Sequence, residues 1–403
     1  MRNLRNSRHT TINFSQHGLS FTASAWDASS DSLICAFGPS AASPVIELKR
    51  FSKDCHSLED AKPIASWDAP SPIPDLPVDS IIDIHYFADT ATICLVLAGG
   101  DIIIVREEPL PGEDLIEIVG SVDAGIAAAT WSPEEELLAI NTHADTLIFM
   151  TKEFESTANI PISPDDVKVS AHVSVGWGKS ETQFKGKRAK ALRDPTVPEH
   201  VDEGVLSPLD QGQTTISWRG DGAYLALNAL EKGKRRMIRV YSREGVLDSV
   251  SEPVDGLEGA LSWRPAGNLM AGIQRHKDHL EVVFFERNGL RHGQFQLRLS
   301  VEEIQEWGGD ISLHWNNDST VLAVCFKDRV QLWTMGNYHY YLKQEIKLVD
   351  IGEHHGPVCA VWHPEKALHL AMGSPCMFDI IRLYVKLTSA SFCPSHDLRF
   401  RSF

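Results

Sequence analysis

The sequence has few of the features that mark secreted or membrane-spanning proteins. Its seven cysteines show no C-x-x-C spacing, which favours buried, reduced thiols over a disulfide framework or a zinc finger. The opening residues, MRNLRNSRHTTINF, carry charge but no apolar core, so they do not predict a signal peptide. The longest apolar run, Ala91–Val105, is interrupted at 99–101 by the sequence GGD, which predicts a hairpin turn rather than a membrane span. We expect a cytoplasmic protein and leave a nuclear location open.

Basic charge is scarce as well, with 38 Lys and Arg against 54 Asp and Glu and a net charge of −16. A broad nucleic-acid-binding surface is disfavoured, because phosphate affinity comes from clustered Lys and Arg. One basic run comprises Lys185, Lys187, Arg188, Lys190 and Arg193. A solvated loop is the favoured interpretation, and a weak contact with RNA or an acidic partner is the alternative. A second basic group is typical of an exposed hairpin turn and comprises Lys232, Lys234, Arg235 and Arg236.

Catalytic and metal-binding motifs are sparse. The run GKS at 178–180 ends like a P-loop, but Val173 stands where that motif needs glycine. His276 and His279 have an H-x-x-H spacing with no third ligand nearby in the sequence, which favours a solvated loop over a zinc site. Nucleophile-elbow and dinucleotide-binding motifs are lacking. We therefore predict no catalytic, cofactor or metal residues, and only a site assembled from distant loops is left open.

A repeated pattern of strands and turns is what the chain does contain. Thr215–Trp218 predicts a strand, followed by a glycine-containing turn and two further strands, Tyr224–Asn228 and Met237–Tyr241. The same order recurs at 260–289 and again at 311–333. Short strands that recur with turn signals between them indicate an all-β architecture.

Tryptophan marks the end of the first strand in most units. The residues Trp131, Trp177, Trp218, Trp263, Trp315 and Trp362 follow one another at intervals of 46, 41, 45, 52 and 47 positions. A period of this length is typical of a β-propeller. Seven blades are predicted, marked by Trp26, Tyr86, Trp131, Trp177, Trp218, Trp263 and Trp315. We expect Thr10–Phe14 to pair into the last blade and close the ring.

Three segments interrupt the pattern. Lys185–Gln213 is polar and predicts a long surface loop. Pro70–Pro77 predicts an irregular connection. Ser300–Trp307 predicts one or two helical turns with Ser300 as the N-cap.

Several runs together resemble the N-terminal WD-repeat propeller of the largest-subunit family of the Elongator complex, also called the IKK-complex-associated protein family. The resemblance extends from Met1 to about Ala371, with the motifs in the order of the family. The runs are MRNLRN at 1–6, VGWGKSETQF at 175–184, WRGDG at 218–222, IRVYSREG at 238–245, SEPV at 251–254, LSWRPAG at 261–267, VFFERNGLRHG at 283–293 and VQLWTMGNYHYY at 330–341.

The resemblance implies a non-catalytic scaffold. Such subunits hold a radical-SAM acetyltransferase-like catalytic subunit and a second WD-repeat subunit. The complex adds carboxymethyl-type groups to the wobble uridine (position 34) of certain tRNAs, in the 5-methoxycarbonylmethyl and 5-carbamoylmethyl uridine pathways. The family's RNA-contact region and dimerisation module belong to its C-terminal part, which this sequence lacks. The run Lys185–Arg193 therefore does not inherit the RNA-contact role.

The resemblance ends near Gly373. Glu345–Met372 resembles the start of a second propeller, with Trp362-His363-Pro364 at its first turn, whereas Cys376–Phe403 has no blade rhythm. We therefore expect a first propeller at 1–344, an incomplete second one at 345–403 and a truncated or mis-spliced gene product. The unpaired segment Ile380–Val385 is expected to be exposed or frayed.

Two alternatives to the Elongator scaffold are left open. One is a WD-repeat interaction scaffold of another assembly. The other is a propeller enzyme with its site in the central channel, which would need convergent polar side chains on the inner strands. Tyr224–Asn228 and Leu269–Ile273, interpreted as inner strands, offer mainly small and apolar residues and disfavour it.

Overall fold

The computed structural model describes residues 2–14, 19–41, 43–72, 76–169, 202–231, 234–306, 311–347 and 359–387. Its strands form seven four-stranded antiparallel sheets, which confirms the predicted seven-bladed β-propeller. We number the sheets as blades in chain order, each beginning with its innermost strand. In the described part of the chain, no helix has the length and apolar character needed to span a membrane.

The first strand of the chain is β1 (Arg2–Asn13), and it belongs to the last blade. Blade 1 contains β2 (Phe21–Asp27), β3 (Ser32–Phe37), β4 (Val45–Phe51) and β5 (Lys62–Asp68). Blade 2 contains β6 (Ile81–Phe87), β7 (Thr92–Leu97), β8 (Asp101–Arg106) and β9 (Ile116–Ser121). Blade 3 contains β10 (Ile126–Trp131), β11 (Leu137–Thr142), β12 (Thr146–Thr151) and β13 (Ser156–Pro161).

A 3-10 helix at Pro164–Val169 follows blade 3. Blade 4 contains β14 (Thr215–Trp218), β15 (Tyr224–Glu231), β16 (Arg235–Ser242) and β17 (Leu247–Val250). Blade 5 contains β18 (Leu257–Trp263), β19 (Leu269–Arg275), β20 (Leu280–Glu286) and β21 (Arg291–Gln296). Helix α1 (Val301–Glu306) precedes blade 6, which contains β22 (Ser312–Trp315), β23 (Val321–Cys325), β24 (Arg329–Gly336) and β25 (His339–Lys347). Blade 7 contains β26 (Cys359–Trp362), β27 (His369–Ser374), β28 (Met377–Leu387) and β1.

The turn between the first and second strands has one recurrent backbone feature. In blades 1 to 6 it contains a residue with positive φ, from +51° at Ala91 to +101° at Gly267. Glycine adopts this conformation at little cost, whereas other residues lose roughly 1–2 kcal/mol there. Only two of the six positions are glycine, so the turn geometry is imposed by strand pairing at the others. The six residues are Asp31, Ala91, Glu135, Gly222, Gly267 and Ser319.

The repeated tryptophans link neighbouring blades near the central axis. The indole nitrogens of Trp26, Trp218 and Trp362 donate to the carbonyls of Val361, Thr130 and His314, at 3.1, 3.2 and 3.0 Å. Each acceptor is the residue just before the tryptophan of the preceding blade. At two further junctions the residue before the tryptophan is a serine, and its side-chain hydroxyl accepts from a backbone N–H of the next blade. Trp263 N donates to Ser217 Oγ at 2.8 Å, and Trp315 N donates to Ser262 Oγ at 3.1 Å.

The ring closes through both ends of the described chain. Strand β1 pairs antiparallel with β28, with Thr10 opposite Ile380 and Leu4 opposite Val385, which confirms the expected pairing of the N-terminal segment into the last blade. Residues 359–387 therefore complete blade 7, and the expected boundary at 344/345 with a second propeller beyond it was wrong for these residues. The physical reason is that β28 presents a free edge on which β1 forms a long ladder.

The predicted set of blade markers needs one correction. Trp177 lies outside the described residues, and seven sheets are complete without it; Trp362 of β26 marks the seventh blade. Ile381 and Leu383 of β28 are buried against Leu4, so the expected exposure of Ile380–Val385 was wrong for these two side chains. Tyr384 and Val385 are exposed, as expected.

Two predicted interruptions can be compared with the structure. Ser300 caps α1 in a reciprocal arrangement: its backbone N–H donates to Glu303 Oε2 at 2.8 Å, and the Glu303 N–H donates to Ser300 Oγ at 3.2 Å. The described residues of Pro70–Pro77 contain no strand, which agrees with an irregular connection.

Candidate functional site

The innermost strands of the seven blades enclose a central channel of about 1,070 Å³. Small and apolar side chains make up much of its wall, and the clearest run is Ala127–Ala129 on β10. Tyr224–Asn228 and Leu269–Ile273, interpreted from the sequence as inner strands, lie instead in the second strands β15 and β19. The sequence-based argument for a small and apolar channel wall therefore used the wrong strands. Most of the residues that do line the channel belong to the first strand of each blade, and many of them are small or apolar.

Four titratable groups of the channel wall have shifted pKa values, and burial raises that of one of them, Tyr86, above its usual range. Burial raises the pKa of Asp83 to about 6 and that of the Cys359 thiol to about 11. Burial lowers the pKa of His314 to about 4, because the charged imidazolium is disfavoured away from water. No hydrogen bond between described residues joins Asp83, His314 and Cys359 to one another. His314 Nε2 does lie 3.0 Å from Ser312 Oγ in the same wall. No carboxylate of the described residues forms an ion pair with this histidine, so a complete set of nucleophile, base and orienting carboxylate is not assembled among them.

The predicted basic residues Lys185, Lys187, Arg188, Lys190 and Arg193 lie outside the described residues, as does the GKS run at 178–180. The structure does show how the chain is held on both sides of that gap. On the N-terminal side, Asp166 Oδ2 accepts from Arg239 Nε at 3.1 Å, and the Arg239 side chain is only 1% exposed. On the C-terminal side, Asp202 pairs with Arg291 at 3.3 Å. Arg239 belongs to blade 4 and Arg291 to blade 5.

The segment after the gap is fixed by two further acidic residues. Asp255 Oδ1 accepts from the backbone N–H groups of residues 203–205 at 2.8–3.0 Å. Asp210 Oδ1 accepts from Arg236 Nη2 at 2.7 Å, and both side chains are buried. Arg236, predicted to belong to an exposed hairpin turn, is therefore an anchor for this segment. Its position in strand β16 beside Met237 is the one sequence signal that could have indicated burial.

The turn between β19 and β20 brings together a set of residues suited to a metal ion. His276 Nε2 and His279 Nε2 each lie 3.5 Å from an oxygen of Glu281. The sequence-based statement that no third ligand is nearby was wrong, because Glu281 is the second residue of β20 and its side chain turns back toward the hairpin. This is the one such group of His, Cys, Asp and Glu among the described residues.

Large apolar side chains are exposed at two places on the rim. Leu110 and Ile118 of blade 2 are 67% and 60% exposed. Met335 and Tyr338, at the turn between β24 and β25, are 50% and 84% exposed. Exposed apolar groups on a rigid rim are suited to protein contacts rather than to chemistry.

The described cysteines form no disulfide bond. The six described cysteines are unpaired, and four of them are buried. Burial raises the pKa of the Cys94 thiol well above its usual range and that of Cys325 to about 12, so these thiols stay protonated and unreactive at neutral pH.

Comparison with known proteins adds to this geometry. A family model described as "ELP1 first N-terminal beta-propeller" matches residues 1–365. The chain is 44% identical to Elongator complex protein 1 of Schizosaccharomyces pombe over 353 residues, which cover 86% of this chain and 27% of that protein. It is 40% identical to the Saccharomyces cerevisiae protein of the same name over 94% of this chain and 29% of that protein.

A mammalian relative, Elongator complex protein 1 of Mus musculus, is 40% identical over 70% of this chain and 21% of that protein. The chain thus spans between a fifth and a third of the length of these curated relatives. The match of the family model agrees with the seven-bladed ring described above. The chain therefore belongs to the Elongator complex protein 1 family, and it contains that family's first N-terminal β-propeller.

Proposed function

We propose that this propeller serves as a non-catalytic docking module of an Elongator complex. The observation that carries the proposal is the family match over residues 1–365. A closed ring of seven sheets is rigid, and its rim and loops offer several separate contact surfaces. Such a module supports an assembly by holding partners in fixed positions.

The partners that we propose are a radical-SAM acetyltransferase-like catalytic subunit and a second WD-repeat subunit. The reaction served is the addition of carboxymethyl-type groups to the wobble uridine of tRNAs. On this proposal tRNA meets the chain indirectly, through the assembled complex. A weak contact of Lys185, Lys187, Arg188, Lys190 and Arg193 with RNA or an acidic partner is a subsidiary proposal. We place the protein in the cytoplasm, with a nuclear pool as a further proposal.

Affinity capture of the tagged chain from a native extract, followed by mass spectrometry, tests the proposal. We expect recovery of the radical-SAM subunit and of the second WD-repeat subunit. A variant with Ile118→Asp and Leu110→Asp is expected to lose part of this recovery if the blade 2 rim is a docking surface. The matched control is Tyr384→Asp on blade 7, where a partly exposed aromatic residue away from blade 2 is replaced.

Two outcomes would contradict the proposal. Recovery of a different multi-subunit assembly without Elongator subunits would indicate a scaffold of another kind. Turnover of a small molecule by the purified chain, abolished by substitution of Asp83 or His314, would indicate an enzyme. We also expect that the chain alone does not restore wobble-uridine modification in cells that lack the full-length subunit.

A further inference from the structure

The hairpin between β19 and β20 holds three potential metal ligands at the spacing of a coordination sphere. His276 Nε2 lies 3.5 Å from Glu281 Oε2, and His279 Nε2 lies 3.5 Å from Glu281 Oε1. Nitrogen and oxygen ligands at 2.0–2.2 Å from a tetrahedral zinc ion are about 3.3–3.5 Å apart. The ligand atoms of all three residues lie within 4.8 Å of one another. The turn itself is closed by the His276 N–H, which donates to the His279 carbonyl at 2.9 Å.

The surroundings orient these groups in the way that metal sites require. Asp278 Oδ1 lies 2.7 Å from His279 Nδ1. This contact places the proton on Nδ1 and leaves the Nε2 lone pair free, as the outer carboxylate does in carboxylate–histidine–zinc arrangements. His276 Nε2 and Glu281 Oε2 are buried, and neither has another hydrogen-bond partner in the described part of the chain.

We propose that His276, His279 and Glu281 bind one Zn²⁺ ion, with a water molecule in the fourth position. Two imidazole nitrogens and one carboxylate favour zinc over Mg²⁺ or Ca²⁺, which prefer oxygen ligands throughout. The two imidazole rings are stacked, with centroids 4.3 Å apart and planes 9° from parallel. Metal binding turns the rings so that both Nε2 lone pairs converge, and the histidine side chains are 35% and 25% exposed, which leaves room for that rotation.

One nearby cation opposes the ion. Burial acts to raise the pKa of Glu281. His276, His279 and Arg291 lower it, and the net result is a lowered pKa. The Arg291 guanidinium is partly compensated, since Nη1 pairs with Asp202 at 3.3 Å and Nη2 donates to Gln274 at 2.7 Å. The zinc ion would thus lie close to Arg291, the residue that pairs with Asp202.

Zinc titration of the chelator-stripped full chain tests the site, with a chromophoric chelator as competitor and circular dichroism as the check on folding. We expect one zinc ion per chain and a rise in Tm on zinc addition, because binding to the folded state alone stabilises it. His279→Gln and Glu281→Gln should lose the stoichiometric ion and the rise in Tm. Asp278→Asn, which removes only the orienting carboxylate, should weaken zinc binding about 10- to 100-fold.

The matched control is His292→Gln. His292 Nδ1 lies 2.7 Å from Glu286 Oε1 on the same blade, so this variant also removes one histidine from a histidine–glutamate pair. Zinc affinity should be unchanged in it, and Mg²⁺ should not compete. The proposal is wrong if the folded wild-type chain takes up no zinc, or if Glu281→Gln and His279→Gln bind zinc as the wild type does.

Discussion

The indole nitrogen of Trp26 donates a hydrogen bond of 3.1 Å to the backbone carbonyl of Val361, which lies 335 positions away in the sequence. This contact joins blade 1 to blade 7 at the point where the ring closes. Asp31 strengthens the same junction, since it forms ion pairs with Lys366 Nζ at 2.8 Å and with Arg382 Nη2 at 3.0 Å. At Trp26, Trp218 and Trp362 the repeated tryptophan thus does more than fill the core, because its N–H group also binds the preceding blade.

Replacement of Trp26 by phenylalanine should lower the free energy of unfolding by about 1–2 kcal/mol. The ring still fills most of the buried volume, but the Val361 carbonyl loses its donor. Chemical denaturation followed by circular dichroism measures the change. Trp67→Phe is the matched control, because the Trp67 indole N–H has no acceptor among the described residues, and it should have a smaller effect. Equal losses in the two variants would show that the cross-blade bond contributes nothing.

Replacement of Leu4 by alanine should destabilise the propeller by about 2–4 kcal/mol, the usual range for a buried leucine. Leu4 is 5% exposed and packs with Ile381 and Leu383 in the core between blades 6 and 7. Thermal and chemical unfolding measure the change, and Tyr384→Ala, at a 44% exposed position of β28, should have little effect. If Leu4→Ala left stability unchanged, strand β1 would not be part of the ring.

Asp83 and His314 should make opposite contributions to stability between pH 4 and 6.5. The pKa of Asp83 is raised to about 6, so the folded protein binds that proton more tightly and this contribution to stability grows as the pH falls from about 6 to 4. The pKa of His314 is lowered to about 4, so its contribution is lost as the pH falls from about 6.5 to 4. Each is on the order of 2 kcal/mol, because channel water screens part of the burial.

Denaturation curves at several pH values separate the two contributions. The wild-type protein should show a shallow profile over this range, since the two slopes cancel in large part. Asp83→Asn should lose stability on acidification and His314→Asn should gain it, each relative to the wild type. Parallel profiles for all three proteins would mean that neither group titrates with an altered pKa.

Replacement of Asp210 by alanine should cost about 3–5 kcal/mol, because it leaves the guanidinium of Arg236 buried without its charged partner. The Arg236 and Asp210 side chains are 1% and 5% exposed. Asp221→Ala is the control: it breaks the ion pair with Arg219, but Asp221 is 56% exposed and the expected loss is below about 1 kcal/mol. Limited proteolysis should also detect earlier cleavage near 202–213 in Asp210→Ala alone.

Much of the local structure could be predicted from the sequence. The strand, turn and strand at Thr215–Asn228 and the capped helix after Ser300 depend on alternation of side chains and on turn and capping residues within a few positions. The tryptophan spacing indicated a propeller for a related reason, since each repeat is one local unit of similar length. The predicted number of seven blades was confirmed, but it was reached with Trp177 counted and Trp362 left out.

The assignment of residues to blades could not be predicted in the same way. Trp177 and Trp362 follow the preceding marker tryptophan at similar intervals, 46 and 47 positions, but Trp177 lies outside the described residues, whereas Trp362 ends the first strand of blade 7. Regular spacing measures chain length and not strand pairing, so it does not by itself assign a tryptophan to a sheet. The anchors Arg236 and Asp210 and the third ligand Glu281 were missed since each depends on a side chain's direction in the folded sheet.

By itself the sequence determined a chain of short strands, the turns between them and the family to which they belong, because these depend on local alternation and on motifs. The tertiary structure decided how the ring closes, which strand completes blade 7 and which charged groups are buried. Those features depend on pairings such as Thr10 with Ile380, which join strands that are far apart in the sequence. The register of such a pair is set by which strand edges are left to form hydrogen bonds and by which side chains become buried.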